Sequence, residues 1–587
     1  MPAPTTDHTP AHLAASAAPE TWLMLAATSA AAAPALLAYN VAPSPTFLNQ
    51  AMAFGLWGAF IGLCRPHWPN HRPWPVWAAL ALLMAAALWP WGPGALPASL
   101  AWSAVGALAA AVLLVTAGAG ARRDANAAPV FAIFCWAWLI AGLLNVAIAV
   151  VQVFRPDLAD GDWIAVSGIA GRAVGNLRQP NHLSSLLLWA CIATVALLQM
   201  RRLAWRWAAA CMAALVFAVV LTASRTGLLS VGLLALWGLL DRRLDRAARG
   251  LLLAAPLLYA VSWFGMAQWA AHFAHEFGGT QRLAESDISG SRFGIWANTL
   301  ALIRAHPWTG VGFGEFNFAW TLTPFPGRPV AFFDHTHNLP LQLAVELGLP
   351  LSTLVMGLLL AGLWLGGRRA LQADGDLGTA QRSAMLMVLM IGLHSLLEYP
   401  LWYAYFLLPT AWAWGFALQD GSPPPGAELR RPLLPAIGGL LLIVGAMLSV
   451  LDYARVAAIF SPSSDDLPLA ARVAQGQRSV LFSHHADYAA LTSGLAGAGA
   501  QQALAGATHY LLDTRLMMAW ARTLAAQGDL DGARTIAARL REFGKTDAED
   551  FFSACPVAAS APGLGLPFQC ELPQTTPGWQ ALLPLHR

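Results

Sequence analysis

The segment "FFDHTHNLPLQLAVELG" places an acid, Asp334, two imidazoles, His335 and His337, and an amide, Asn338, immediately before an apolar run. Two histidines two residues apart, without a Glu-x-x-His partner, make a poor zinc pattern. A neutral imidazole is instead suited to taking a proton from a hydroxyl near neutral pH. Pro340 suits a first helical position, with Asn338 or Leu339 just before it, so these groups stand at a helix start. Simple capping by His337 is the plainer alternative, and histidine is not a favoured cap. Gln342 and Glu346, four residues apart, share one face of that helix.

Other polar constellations interrupt apolar sequence in the same way. "GRAVGNLRQPNHLSSLL" carries Arg172, Asn176, Arg178, Gln179, Asn181 and His182. Pro180 again suits a first helical position, which puts Gln179 at the cap, and capping competes evenly with a site role there. "TASRTGLLSVG" holds Ser224, Arg225 and Thr226 between two apolar runs, and an arginine so placed needs a carboxylate or a phosphate as partner. "SRFGIW" supplies Arg292, while the glycines of "GVGFGEF" follow no strand and read as a tight turn rather than a phosphate loop. "GLHSLLEYPLWYAYF" sets His394 and Glu398 on one predicted helical face beside Tyr399, Tyr403 and Tyr405; interfacial anchoring is the competing reading for the tyrosines.

The elements that position these groups are membrane spans. Of the 587 residues 57% are hydrophobic and only 11% charged, too few charges for a soluble surface of this size, and a net charge of +3 does not suit nucleic acid. Thirteen apolar segments, to within about two, are long enough to be read as spans, near 22–39, 47–64, 74–91, 99–119, 128–153, 180–199, 205–222, 226–240, 250–267, 340–365, 383–397, 401–418 and 433–451. Placing residues 1–21 in the cytoplasm puts Arg65, Arg72, Arg122, Arg123, Arg201, Arg202, Arg206, Arg242, Arg243, Arg246, Arg249, Arg368, Arg369, Arg382, Arg430 and Arg431 on one side, as the positive-inside rule requires. Arg172, Arg178, Arg225 and Arg292 then fall on the opposite side, where some should meet anions. Arg155, Arg304 and Arg328 read as ordinary solvated loop residues.

The expected organisation is an all-α polytopic membrane domain over 22–451, with non-cytoplasmic loops 154–179 and 268–339, followed by a helical tail outside the cytoplasm, 452–587. Within the tail, "LLDTRLMMAWARTLAAQGDLDGARTIAARLREFG" reads as two amphipathic helices around a Gly-Asp turn, a helical-repeat hairpin with a degenerate predecessor near 486–510. Cys64, Cys135, Cys191 and Cys211 sit in or beside apolar spans as structural thiols. Cys555 and Cys570 are isolated in the exported tail, where a disulfide is expected.

Taken in order, "RQPNHLSSLL", "SRTGLL", "SRFGIW", "HPWTGVGFGEF", "DHTHNLPLQLAVELG" and "LEYPLWY" resemble the O-antigen ligase superfamily, and most closely its pilin-modifying protein O-oligosaccharyltransferases. The resemblance covers roughly 130–451 and extends to the tail. It implies a metal-independent, cofactor-free glycosyltransferase of the C-type architecture in the bacterial inner membrane. Such an enzyme passes a glycan from undecaprenyl diphosphate to a Ser or Thr of an exported protein such as a pilin. By motif, His337 matches the histidine of the family's "HN" element, Arg225 and Arg292 its arginines, and Gln179 the glutamine of "QPNH". His337, His335 and Gln179 are therefore the catalytic candidates. Arg225, Arg292, Arg178, Arg172, Asn181, His182, Asn338, Glu398, Tyr399 and Tyr403 are the substrate-binding candidates.

An O-antigen ligase acting on lipid A core, or a polysaccharide polymerase, would share the donor motifs and differ in acceptor. A transporter or flippase would instead show inverted repeats with charges near the midplane, whereas the polar clusters here gather at one face. A non-catalytic scaffold leaves that one-sided clustering unexplained.

Overall fold

A computed structural model describes residues 11–583 except 70–71, 90–91, 125, 285–287, 421–432, 464–466, 560–565 and 576, with side chains undescribed also at 11–19, 282–284, 288–291 and 557–559. The protein is an all-α polytopic membrane protein, with no strand among the described residues. Each of the thirteen apolar segments is helical: α1 (Ala11–Leu36), α2 (Phe47–Cys64), α3 (Trp74–Leu88), α4 (Ala98–Ala121), α5 (Ala127–Phe154), α6 (Pro180–Gln199), α7 (Trp205–Leu221), α8 (Arg225–Leu240), α9 (Arg246–Phe273), α13 (Leu339–Gln372), α14 (Gly375–Ser395), α15 (Ala404–Ala417) and α16 (Leu433–Phe460). The loop between α9 and α13 forms α10 (Gly278–Ala284), α11 (Ile288–Ala305) and α12 (Phe316–Leu322). Among the described residues seven helices are long and apolar enough to cross a membrane individually, and α3, α7 and α8 are shorter apolar helices.

Helix α6 is the hub. It is buried along nearly its whole length and packs on α5, α7, α8 and α14. Lipid tails are as apolar as leucine, so burial of apolar surface alone does not hold such helices together; close backbone packing does. Helices α4 and α15 show the device, since a Cβ at Gly118 would overlap the Trp412 carbonyl and one at Gly415 the Val115 carbonyl. Around that crossing Trp412 stacks on Phe134 at 4.5 Å, and Trp138 meets Trp189 edge-on at 4.6 Å. The outermost helices α9 and α16 expose Leu257, Val261, Phe264, Leu441, Met447 and Leu451, as lipid-facing helices do.

The turn reading of "GVGFGEF" holds, and the turn docks into a break in α13. Gly348 has φ +73° and precedes Pro350 by two residues; there the Val311 and Gly312 N–H groups donate to the Val345 and Glu346 carbonyls at 2.8 and 3.1 Å.

Helix α16 runs to Phe460, past the expected end at 451, and the tail continues as α17 (Leu469–Gly476), α18 (Ser483–Thr492), α19 (Ala500–Ala507), α20 (Thr514–Ala526), α21 (Leu530–Glu542), α22 (Glu549–Phe552) and α23 (Ala554–Ala559). Helices α20 and α21 pair as the hairpin foreseen, and Cys555 is bonded to Cys570. The tail and the α9–α13 loop share one core, in which Phe316, Phe318 and Trp320 of α12 pack with Leu512, Leu516, Trp520 and Phe543. Arg328 is a correction. It is no solvated loop residue: its side chain is 2% exposed, lies over the Trp320 and Phe543 rings, donates to the Trp320 and Thr321 carbonyls and pairs with Glu542 at 3.2 Å.

Candidate functional site

At the end of the bundle where α6, α8 and α13 begin, Asn338 caps α13. Its Oδ1 accepts from the Leu341 N–H at 3.1 Å and its Nδ2 donates to the Leu396 carbonyl at 3.0 Å, which ties the start of α13 to the turn after α14. His337, just before the cap, has φ +54°, a conformation costly for a residue with a Cβ and kept only where its surroundings over-determine it. Thr336 does so from the preceding position. Its N–H donates to Gln342 Oε1 at 2.8 Å, its hydroxyl to the Asn338 carbonyl at 2.9 Å, and its carbonyl accepts from Trp296 Nε1 at 2.9 Å.

The resulting turn sets His337 Nδ1 2.7 Å from Glu398 Oε2. The expectation that Glu398 shares a helical face with His394 is corrected here. Pro400 follows two residues later, α14 stops at Ser395, and Glu398 lies in the turn beyond it, while His394 Nδ1 faces Ser185 Oγ at 2.8 Å. Glu398 is the centre of the cluster: Oε1 also accepts from an Arg292 N–H at 2.5 Å and from Asn181 Nδ2 at 3.1 Å. Burial pushes this carboxyl up, but the His337 hydrogen bond and the neighbouring positive groups outweigh it and hold the acid below its usual range. An ionised carboxylate only accepts, so the proton of a neutral His337 sits on Nδ1 and Nε2 keeps its lone pair.

Helix α6 contributes through its first turn. Gln179 Oε1 accepts from the Asn181 and His182 N–H groups at 2.5 and 3.0 Å, a helix cap, so this catalytic candidate is engaged locally. Asn181 faces protein at both ends, giving Nδ2 to Glu398 and accepting the Ser224 hydroxyl on Oδ1 at 2.6 Å. His182 is buried, with Nδ1 3.2 Å from the Tyr405 hydroxyl and its ring edge-on to Tyr403 at 4.5 Å. Arg172 is buried too and donates to the Thr222 and Ala223 carbonyls at 2.9 and 3.5 Å. Arg225, first residue of α8, is exposed, as is Arg178, which reaches the Pro45 carbonyl at 3.2 Å.

His335 lies beside the cluster, not in it. It pairs with Asp334 at 3.0 Å, stacks on Tyr399 at 4.2 Å and meets Trp402 edge-on at 4.9 Å. Burial raises the Tyr399 phenol, so it stays protonated and offers a hydrogen bond rather than base chemistry. The central place of Glu398 and the part taken by Ser224 escaped sequence reasoning. The available signal was an acid at the very end of an apolar span, followed by proline.

The site therefore combines a fixed imidazole with a free-facing nitrogen, an anchored carboxylate and partly exposed guanidinium groups at a membrane-domain end, which is the equipment of a group-transfer site using a hydroxyl and an anionic leaving group. Among the described residues no three His, Cys, Asp or Glu side chains are grouped as metal ligands.

Comparison with known proteins agrees with that class. Residues 209–356 match the O-antigen ligase family, residues 173–198 the protein glycosylation ligase family, and residues 383–552 the C-terminal region of virulence factor membrane-bound polymerases. The chain is 27% identical over 294 residues to the general O-oligosaccharyltransferase of Acinetobacter baylyi (48% of this chain, 49% of that protein). It is 26% identical over 295 residues to the ComP-specific O-oligosaccharyltransferase of the same organism (48% and 50%). Parts of the chain thus match the O-antigen ligase and protein glycosylation ligase families, and the chain is homologous to these O-oligosaccharyltransferases over alignments that span only about half the length of either relative. The three matched segments hold Asn181, Ser224, Arg225, Arg292, His337 and Glu398 between them.

Proposed function

We propose that the protein transfers an oligosaccharide en bloc from undecaprenyl diphosphate to a Ser or Thr hydroxyl of an exported protein such as a pilin. The site and tail face the periplasm, the N-terminus lies in the cytoplasm, and the thirteen helices cross the inner membrane. The observation that carries this reading is the His337–Glu398–Arg292 cluster, which supplies a base, its orienting acid and a cation at one membrane face.

In this mechanism the acceptor hydroxyl oxygen attacks the anomeric carbon while its proton passes to His337 Nε2. The bond from that carbon to the diphosphate oxygen breaks, and the electron pair leaves with undecaprenyl diphosphate. Glu398 keeps the imidazole oriented and stabilises the imidazolium that forms. Arg225 and the N–H groups of Arg292 not used by Glu398 face the charge developing on the leaving group. His337 then returns its proton to solvent.

Transfer to lipid A core or to a growing polysaccharide is the second reading, favoured by the matches over 209–356 and 383–552. Incubation of a lipid-diphosphate oligosaccharide with a pilin and, in the same mixture, lipid A core, followed by mass analysis of both acceptors, separates the two. The expected result is a pilin heavier by one whole glycan; an unmodified pilin beside a glycosylated lipid A core would transfer the assignment to the ligase.

A further inference from the structure

The α7–α8 corner presents Arg225, and the residue before it, Ser224, is tied to the residues holding His337. The corner turns at Ala223, whose φ is +47°, a left-handed conformation that a Cβ makes costly. Buried Arg172 clamps it by donating to the Thr222 and Ala223 carbonyls. Ser224 follows, also buried, and its hydroxyl both accepts and donates. Its oxygen accepts from the Gly227 N–H at 3.0 Å, capping α8, while its proton goes to Asn181 Oδ1 at 2.6 Å; neighbouring Ser184 gives its own proton to the Asn181 carbonyl at 2.9 Å. Asn181 in turn donates to Glu398, which holds His337. All donors run in one direction, from Ser224 through Asn181 to the carboxylate.

A cap alone would need only an acceptor at position 224, and an anchor for Glu398 alone would not need Asn181 to be gripped from behind. We infer that Ser224 and Asn181 are positioning residues: their hydrogen-bonded bridge fixes the start of α8, and with it Arg225, relative to the His337–Glu398 pair, so that the anion-binding and proton-accepting halves of the site share one rigid frame. This rests on the reading of Arg225 as a diphosphate ligand, and it assigns a role to Ser224, which sequence motifs alone left open.

The test uses the full chain in detergent and undecaprenyl diphosphate itself as probe, with binding measured by titration and folding by thermal unfolding. Ser224→Ala removes cap and bridge together; Ser224→Asp keeps an acceptor for the Gly227 N–H but cannot donate to Asn181; Ser224→Thr keeps both. Losing one such hydrogen-bonded frame should weaken probe binding roughly tenfold in the Ala and Asp variants and leave the Thr variant near wild type. In an Arg225→Ala background the Ser224→Ala change should have no further effect, because its influence runs through that side chain. Equal losses in both backgrounds, or wild-type binding by a folded Asp variant, would overturn the bridge as a positioning device. Wild-type protein that binds the probe but glycosylates no protein would sink the proposed acceptor while leaving the bridge standing. Wild-type protein that does not bind the probe would overturn both the bridge's role and the donor assignment.

Discussion

Two histidine–glutamate pairs of nearly equal length occupy opposite environments in this molecule. His337 and Glu398 meet at 2.7 Å with side chains 18% and 8% exposed, whereas His509 and Glu315 meet at 2.6 Å with side chains 1% and 0% exposed. The first pair sits where three membrane helices begin and has Arg292 on the same carboxylate. The second is sealed between the turn before α12 and the tail, beside the Phe318 ring that stacks on His509 at 5.3 Å. Pairing alone therefore does not make a site. Access for a substrate hydroxyl and a nearby cation distinguish the reacting pair from the stitching pair, and the consequences of mutation should divide the same way.

The largest effect is expected on the accessible side. Glu398→Ala leaves His337, Arg292 and Asn181 without their common acceptor, and transfer by folded protein should fall on the order of 10²- to 10⁴-fold, read as the steady-state rate at saturating donor. Arg225→Lys and Arg292→Lys keep the charge but lose the planar fork, and should lose roughly ten- to a hundredfold, mainly as a raised KM for the lipid-linked donor. An unchanged KM in both would remove these arginines from the diphosphate.

On the sealed side the loss should be one of stability. His509→Ala strands Glu315 and should cost on the order of 1–3 kcal/mol in thermal unfolding, with the rate per folded molecule unchanged. Asp487 is a third case, a half-buried acid hydrogen-bonded by Gln477 at 2.9 Å, and its partial desolvation pushes its carboxyl up to about 6. Its folded pKa lies above the unfolded one, so its contribution is fully present at low pH and is lost as pH rises through about 6. Asp487→Asn should match wild type in acid and unfold at a modestly higher temperature above that pH. Identical unfolding curves at pH 8 would contradict the burial argument.

Local signals were legible in the sequence. Pro180 and Pro340 each marked a helix start; Gln179 caps α6 as read, and of the two residues open before Pro340 it is Asn338 that caps α13. The tail hairpin and the Cys555–Cys570 bond were legible for similar reasons, since both depend on nearby residues. Whatever depends on contacts across the chain was not. Glu398 meets His337 over 61 residues and Arg292 over 106, and no local pattern reports such a pairing. Arg328 looked solvated because two of its partners, the Phe543 ring and the Glu542 carboxylate, come from the tail. Ser224 read only as part of a polar break between two apolar runs; its cap on α8 and its bond to Asn181, which spans 43 residues, emerge from the fold. Helix extent was legible for long apolar runs, while α3, α7 and α8 show how short apolar helices blur a count of spans.

The contrast between the pairs is tested most directly by single-turnover transfer from a lipid-diphosphate oligosaccharide to a pilin, comparing His337→Ala, His335→Ala and His509→Ala, with folding and donor binding measured separately for each. His337→Ala is expected to bind donor and lose transfer by about 10²- to 10⁴-fold, while folded His335→Ala and His509→Ala stay much closer to wild type. Near-normal transfer by the His337→Ala protein would contradict the assignment of His337 as the group that takes the acceptor's proton.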